Sequence, residues 1–290
     1  MEIQIPLVLF TSFLAWSVGI FGTQALLAMK KKGGEIQVPS LIAAVIVLAI
    51  GGIAVVFHLT HPFNLFNGFG HLTSGITQEL IAIVILVVVM VIYFLMLRRS
   101  EDNSVPAWLA VLAIVAGLIL IVAMGHSYMM PSRPAWNSIL QLLSLLGAAC
   151  VLGPATVAII AGAKKVDIPE LGLFNVVGSL VNAVLVAAFL GIMSMAGGSF
   201  ESFSYYFDPT HPNNPLKSGA DMALTSGSAM GMTVLVVLGA LVAVIGAFVG
   251  KKQENKWLTW GCIILAAGLI CTIALRVLMY MMGETMFMLY

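Results

Sequence analysis

The sequence predicts an all-α fold: a polytopic membrane protein with about eight transmembrane helices in a bundle. Of its 290 residues, 61% are hydrophobic and only 9% are charged, whereas a soluble domain carries about 25% charged residues. The hydrophobic residues fall in runs of about 20, the length that a helix needs to cross the hydrocarbon layer. The alternating pattern of a membrane β-barrel is absent, so each run is expected to be a helix.

The apolar runs extend along the whole chain, which is therefore predicted to be a single integral membrane domain, residues 1–290. The predicted spans are 6–29, 38–59, 75–97, 105–128, 136–163, 171–196, 222–250 and 256–282. The first run follows Met1-Glu2 and has neither a basic segment before it nor a small-residue cleavage site after it. It is interpreted as a retained helix and not as a signal peptide.

The basic residues indicate how the bundle is oriented. Ten of the 13 Lys and Arg residues fall in the odd-numbered connections: Lys30, Lys31, Lys32, Arg98, Arg99, Lys164, Lys165, Lys251, Lys252 and Lys256. The basic side of a membrane protein faces the cytoplasm. The chain is therefore predicted to lie in the cytoplasmic (inner) membrane with both termini on its outer side. The outer connections are then the segments 60–74, 129–135 and 197–221.

No cofactor motif is recognisable in the chain. Cys150, Cys262 and Cys271 all lie in apolar runs without metal-ligand spacing, which favours a packing role. A pair of transmembrane haems would need axial histidines at both depths of the membrane, and every histidine falls near the predicted outer side. The sequence therefore predicts no haem or metal in this chain, and it has no nucleotide-binding motif and no indication of a nucleic-acid partner.

The connection between the second and third runs is unusually polar. It reads AVVFHLTHPFNLFNGFGHLTSGITQELIAIV and contains three histidines and one acid but no Lys or Arg. His58 and Glu79 lie at its two ends, and such a pair can bind two oxygens and move protons, which is general acid–base chemistry. The alternative for His58 is an interfacial histidine that only hydrogen-bonds a backbone carbonyl. The alternative for Glu79, which follows the possible helix caps Ser74 and Thr77, is a carboxylate that complements the helix dipole.

Two arginines are further candidates. Arg133 follows His126 and Tyr128 on the predicted outer side, where it can anchor at lipid headgroups or bind an anionic or carbonyl oxygen. Arg276 is the one basic residue inside a predicted span, and a buried ionisable residue in a membrane is either functional or paired with an acid. Two asparagines seven residues apart in the sixth span, Asn175 and Asn182, predict hydrogen bonds between helices.

The polar hairpin resembles that of the membrane anchor subunit of the dimethyl sulfoxide reductase family. The family pattern is His-Leu-x-x-Pro-x-x-x-Phe-Asn, then a Ser, then a Ser/Thr-Asn/Gln-Glu-Ile/Leu run that opens the next helix. This sequence has His58-Leu59, Pro62, Phe66-Asn67, Ser74 and Thr77-Gln78-Glu79-Leu80, with one residue fewer in between. His61 and His71 are additional to the family pattern.

The resemblance implies a quinol-oxidising subunit of a molybdopterin oxidoreductase complex that works in anaerobic respiration. It implies that His58 and Glu79 form a menaquinol site, with His58 bonding a quinol oxygen and Glu79 accepting or relaying its proton, and that Asn67 and Arg276 contribute to binding. Arg133 is a further binding candidate because of its own position on the predicted outer side. The implied partners are an iron–sulfur electron-transfer subunit and a molybdopterin catalytic subunit. The chain itself would be a non-catalytic or quinol-oxidising subunit.

Two other functions are compatible with a bundle of this kind. One is the quinone-reactive membrane subunit of the polysulfide or nitrite reductase type, against which the His-Leu-x-x-Pro run argues. The other is a small-molecule transporter, in which Glu79 and Arg276 would bind substrate. Transporters often contain inverted repeats and paired broken helices, and neither is evident in this sequence.

Overall fold

The computed structural model describes residues 3–58, 71–197 and 223–283. Its helices are α1 Ile5–Met29, α2 Gly34–Val56, α3 Gly75–Arg99, α4 Ala107–Ser127, α5 Ile139–Lys164, α6 Glu170–Met195, α7 Gly227–Lys252 and α8 Trp257–Met281. A short 3-10 helix, Glu254–Lys256, precedes α8, and all eight of the α-helices given for this described part are long and apolar enough to cross a membrane. The predicted all-α polytopic bundle is confirmed.

Three helices form the centre of the bundle. In the most hydrophobic stretch of each helix, 72% of the residues of α5 are buried, as are 61% of those of α1 and α8, against 33% for α3 and α7. The peripheral helices present aliphatic side chains outward, as Val84, Val88 and Val91 do on α3. Since lipid is as apolar as these side chains, the hydrophobic effect does not hold such helices together within the membrane. Close packing between the helices must hold them together instead.

Small residues provide that close packing. A Cβ atom on Gly153 of α5 would overlap the carbonyl oxygen of Gly19 in α1, and one on Gly178 of α6 would overlap the carbonyl oxygen of Cys150 in α5. Pro154 has no amide hydrogen to donate to the Cys150 carbonyl, so this oxygen lacks its helical partner. Because Gly178 has no side chain, the backbone of α6 packs directly against that of α5 at this point.

The predicted hydrogen bonds between helices are confirmed. The side-chain amide of Asn175 in α6 donates to the Pro154 carbonyl of α5 at 3.3 Å and to Leu171 of its own helix at 2.9 Å. Asn182 donates to the Cys271 sulfur of α8 at 3.8 Å. Both asparagines are buried, and they join α6 to the central helices.

Helix α2 begins at Gly34, earlier than the predicted start at residue 38. Gly33 adopts a left-handed conformation with φ of +69°, which glycine reaches without steric cost. The chain therefore reverses immediately after the lysine run and is helical before Pro39. Pro39 is the sixth residue of the helix, so the carbonyl of Glu35, four residues earlier, has no helical amide partner.

The basic connections meet at one end of the bundle, called the basic end below. Gly34, in the first turn of α2, lies against the backbone of Asp102 between α3 and α4, and Gly162 of α5 lies against Leu258 of α8. The connections that carry the ten basic residues are thus neighbours. The lysines and arginines that the positive-inside rule counts are concentrated at this end.

Candidate functional site

Glu79 lies at the opposite end of the bundle, at the fifth position of α3, with 8% of its surface exposed. Ser127, the last residue of α4, donates a hydrogen bond to Oε1 of Glu79. The two helices can approach because Gly75 has no side chain: a Cβ atom there would lie 2.6 Å from Cβ of Ser127. A carboxyl group held in this way between two helices, at one end of the bundle, can take part in general acid–base chemistry.

The start of α3 differs from the expectation that Ser74 and Thr77 cap it. Ser74 occupies the N-cap position, but its side chain makes no capping hydrogen bond, so this expectation is wrong for Ser74. Its amide instead donates to the carbonyl of His71 at 3.0 Å, which closes a turn before the helix. Thr77 is buried in the first turn.

Beside Ser127 lies an aromatic cluster made of Tyr128, Trp136 and Tyr280. The ring centroids of Trp136 and Tyr280 are 5.2 Å apart, and those of Tyr128 and Trp136 are 5.8 Å apart. The Tyr280 hydroxyl donates to that of Tyr128 at 3.4 Å, and the Trp136 indole donates to the Met279 carbonyl at 2.6 Å. These contacts fix the end of α8 against the connection between α4 and α5.

Arg276 is buried behind this cluster, with 1% of its surface exposed. Its guanidinium donates to the Ser144 hydroxyl and to the Met279 sulfur at 3.6 Å, while its Nε has no partner. Among the described residues, no carboxylate lies within ion-pair distance of it. The carbonyl oxygen of the nearby Gln141 side chain is also unpartnered, so polar groups at this depth retain hydrogen-bonding capacity.

Two charged groups act on the hydroxyl of Tyr128, the residue that follows α4. Burial raises the pKa of Tyr128 well above its ordinary value, and Tyr280 and the charge of Glu79 raise it further, whereas the charge of Arg276 opposes the rise. Tyr128 is therefore a neutral hydroxyl that can donate or accept a hydrogen bond. Glu79 and Arg276 are close enough to the same hydroxyl for both charges to influence it.

Arg133 lies over the indole ring of Trp136, with its guanidinium carbon 4.3 Å from the ring centroid. It is half-buried, and stacking of this kind is a favourable cation–π contact. The structure therefore places Arg133 at the aromatic cluster. Its positive charge lies at the same end of the bundle as Glu79.

His58 follows the end of α2 and is exposed. Both His58 and Glu79 belong to the described residues, and no hydrogen bond joins them. Glu79 instead faces α4. Asn67 lies outside the described residues, as does His61, so the structure brings together Glu79, Arg133 and Arg276 around the aromatic cluster, whereas the approach of His58 stays a prediction.

Sequence reasoning missed several residues at this site, namely Ser127, Trp136, Ser144 and Tyr280. Each meets its partner across a long chain separation: Ser127 and Glu79 are 48 residues apart, and Ser144 and Arg276 are 132 apart. One local signal was present. Tyr280 follows Arg276 by four residues, and residues four apart lie on one face of a helix.

The apolar helices and the polar groups buried at one end define an integral membrane protein of the polytopic helical class. The model of the family described as DMSO reductase anchor subunit (DmsC) matches residues 1–204. The chain therefore belongs to the DMSO reductase anchor subunit family. Membership in this family implies association with catalytic reductase subunits at the membrane.

The fold is also similar to that of a solved structure, the bd oxidase from Geobacillus thermodenitrificans. The two superpose with a TM-score of 0.59 at 12% sequence identity, covering 97% of this chain and 87% of the other. At that identity the likeness concerns the helical fold alone. No curated protein sequence matches the chain.

Proposed function

We propose that this chain oxidises menaquinol in the cytoplasmic membrane and passes the electrons to an iron–sulfur subunit, which delivers them to a molybdopterin catalytic subunit in anaerobic respiration. The observation that carries the proposal is the buried Glu79 carboxyl, held by Ser127 beside an aromatic cluster. Family membership supports the anchoring role. A proton acceptor next to aromatic rings suits a quinol head group, which is a flat ring with two hydroxyl groups that lose protons on oxidation.

The proposed chemistry balances as menaquinol giving menaquinone, two protons and two electrons. His58 hydrogen-bonds one quinol oxygen, accepts the proton of that hydroxyl group and passes it to the membrane surface, and the carboxylate of Glu79 accepts the proton from the other hydroxyl group. The hydroxyl group of Ser127 orients that carboxylate, so that the accepting oxygen needs little reorganisation. As the electrons leave for the iron–sulfur partner, Glu79 releases its proton to the nearby membrane surface.

The remaining candidates bind and orient the quinol in this proposal. Arg133 contacts its oxygens, and Asn67 is proposed as a further quinol-binding residue. Arg276 supplies a positive charge behind the site that favours negative charge developing on the quinol oxygens. The Tyr128 hydroxyl group is a further hydrogen-bonding group for the quinol oxygens.

The direction of proton release follows from the charge distribution. The basic end is opposite Glu79, and the positive-inside rule assigns it to the cytoplasm, so the proposed orientation has both termini and the quinol site outside. The sequence has no histidine pattern for two haems. The iron–sulfur partner is accordingly proposed to dock on the side at which the quinol is oxidised.

Replacing His58 with Ala in the assembled complex tests the proposal. Quinol-dependent reductase turnover is expected to fall by at least about tenfold, in line with the loss of a positioned acid–base group. Turnover with an artificial dye that donates directly to the partner subunits is expected to stay unchanged. His71→Ala is the matched control, because His71 is an exposed histidine of the same connection; wild-type quinol turnover in His58→Ala would contradict the site assignment.

A further inference from the structure

An apolar cleft of about 440 Å³ lies between α1, α4, α5 and α6. Its volume is within the range of sites that bind small molecules. On α1 it extends from Val18 to Leu26, about 12 Å at the rise of an α-helix. It lies apart from the Glu79 site, which is at the other end of the bundle.

The cleft is open toward the lipid. Leu26, Leu118 and Leu173 line it, and 42%, 42% and 50% of their surfaces are exposed. Within the hydrocarbon layer, such a cleft is filled by an apolar chain, because the atoms of its walls would lose their dispersion contacts if it were empty. Its occupant is therefore a hydrocarbon chain of some kind.

The mouth of the cleft toward the basic end carries a positive charge. Phe174 lines the cleft, and Nζ of Lys30 lies 5.9 Å from the centroid of the Phe174 ring. Lys31 and Lys32 follow directly, and all three lysines are exposed. Basic pockets between transmembrane helices on the cytoplasmic side bind anionic lipid head groups.

We propose that the cleft holds one acyl chain of an anionic phospholipid, whose phosphate group is bound by Lys30, Lys31 and Lys32. The charge at the mouth distinguishes this occupant from the isoprenoid tail of a quinol, which carries no anionic group. The tail would also have to reach the cleft from the opposite end of the bundle. This lipid site does not depend on the function proposed for Glu79.

Gly22 allows a direct test, because it lines the cleft and a Cβ atom added to it would meet nothing within 4 Å. The full chain is reconstituted into vesicles of equimolar phosphatidylglycerol and phosphatidylcholine, extracted in mild detergent and weighed by native mass spectrometry. The wild type is expected to retain one phosphatidylglycerol. In Gly22→Leu the added side chain fills the cleft, and retention is expected to fall by at least about tenfold.

The charge is tested separately by Lys30→Gln, a surface change that leaves the packing intact. The preference for phosphatidylglycerol over phosphatidylcholine is expected to fall about fivefold, the factor for one lysine near an anionic surface. Gly191→Leu is the matched control for Gly22→Leu, since Gly191 in α6 is outside the cleft and also has open space around it. Its lipid retention is expected to equal that of the wild type.

Four results would overturn the proposal. The first is wild-type retention of phosphatidylglycerol in Gly22→Leu. The second is an equal preference of the wild type for the two lipids. The third is an unchanged lipid preference in Lys30→Gln, a variant that tests the proposal even if Gly22→Leu does not fold. The fourth is an uncharged prenyl quinone carried by the purified protein in place of the phospholipid.

Discussion

Glu79→Gln is expected to lower quinol-dependent turnover by at least about 100-fold, because a positioned general base contributes roughly 10²–10⁴-fold to rate. The amide cannot take the quinol proton, yet it is almost the same size and its oxygen can still accept the hydrogen bond from Ser127. The bundle should therefore remain intact. Turnover of the assembled complex is measured with menaquinol and, in parallel, with a dye that bypasses this chain.

Ser127→Ala is the matched control for that experiment. It keeps the carboxyl group and removes only the hydroxyl group that orients it, so quinol turnover is expected to fall by less than about tenfold, the worth of one ordinary hydrogen bond. Dye-dependent turnover is expected to be that of the wild type in both variants. Quinol turnover near the wild-type rate in Glu79→Gln would show that Glu79 is not the proton acceptor.

Trp136→Ala is expected to cause the largest loss of stability among single side-chain truncations at the site, roughly 3–5 kcal/mol of the free energy of unfolding. Trp136 is 2% exposed, contacts both tyrosines of the aromatic cluster and donates to the Met279 carbonyl. Its removal leaves a cavity between α8 and the connection from α4 to α5. Thermal unfolding of the purified chain in detergent measures the effect.

Trp108→Ala is the control for Trp136→Ala, because Trp108 lies on the outer surface of α4 with 59% of its area exposed. Its free energy of unfolding is expected to stay within about 0.5 kcal/mol of the wild type. Trp136→Phe keeps an aromatic ring but loses the hydrogen bond, so it should lie between the two. Equal melting temperatures for the Trp136 and Trp108 variants would exclude the structural role assigned to the cluster.

The helices were predictable from the sequence because the bilayer fixes their length. Lipid offers no hydrogen-bond partners, and a helix bonds its backbone polar groups within its own segment, so apolar runs alone revealed the spans. Helix ends were less predictable, as α2 illustrates: the predicted span starts at residue 38, and the left-handed Gly33 places the start of the helix at Gly34. The backbone conformation of one glycine decided that boundary.

The candidate site was predictable only in part. Glu79 and Arg276 stood out because ionisable groups are rare and costly in membrane helices, and both are buried at the same end of the bundle. Their partners Ser127 and Ser144 are small hydroxyl residues that resemble many others in the sequence. Tertiary packing of α3 on α4, and of α5 on α8, selects them, and no local pattern encodes that choice.

The most direct test of the central claim is photolabelling of the assembled complex with a photoreactive menaquinol analogue, followed by mapping of the labelled peptides. The account predicts label in residues 71–79, 127–136 or 276–283, and loss of that label when excess menaquinol competes. Label confined to the lipid cleft around residues 18–26 and 173–178, or found only on a partner subunit, would contradict a quinol site at Glu79.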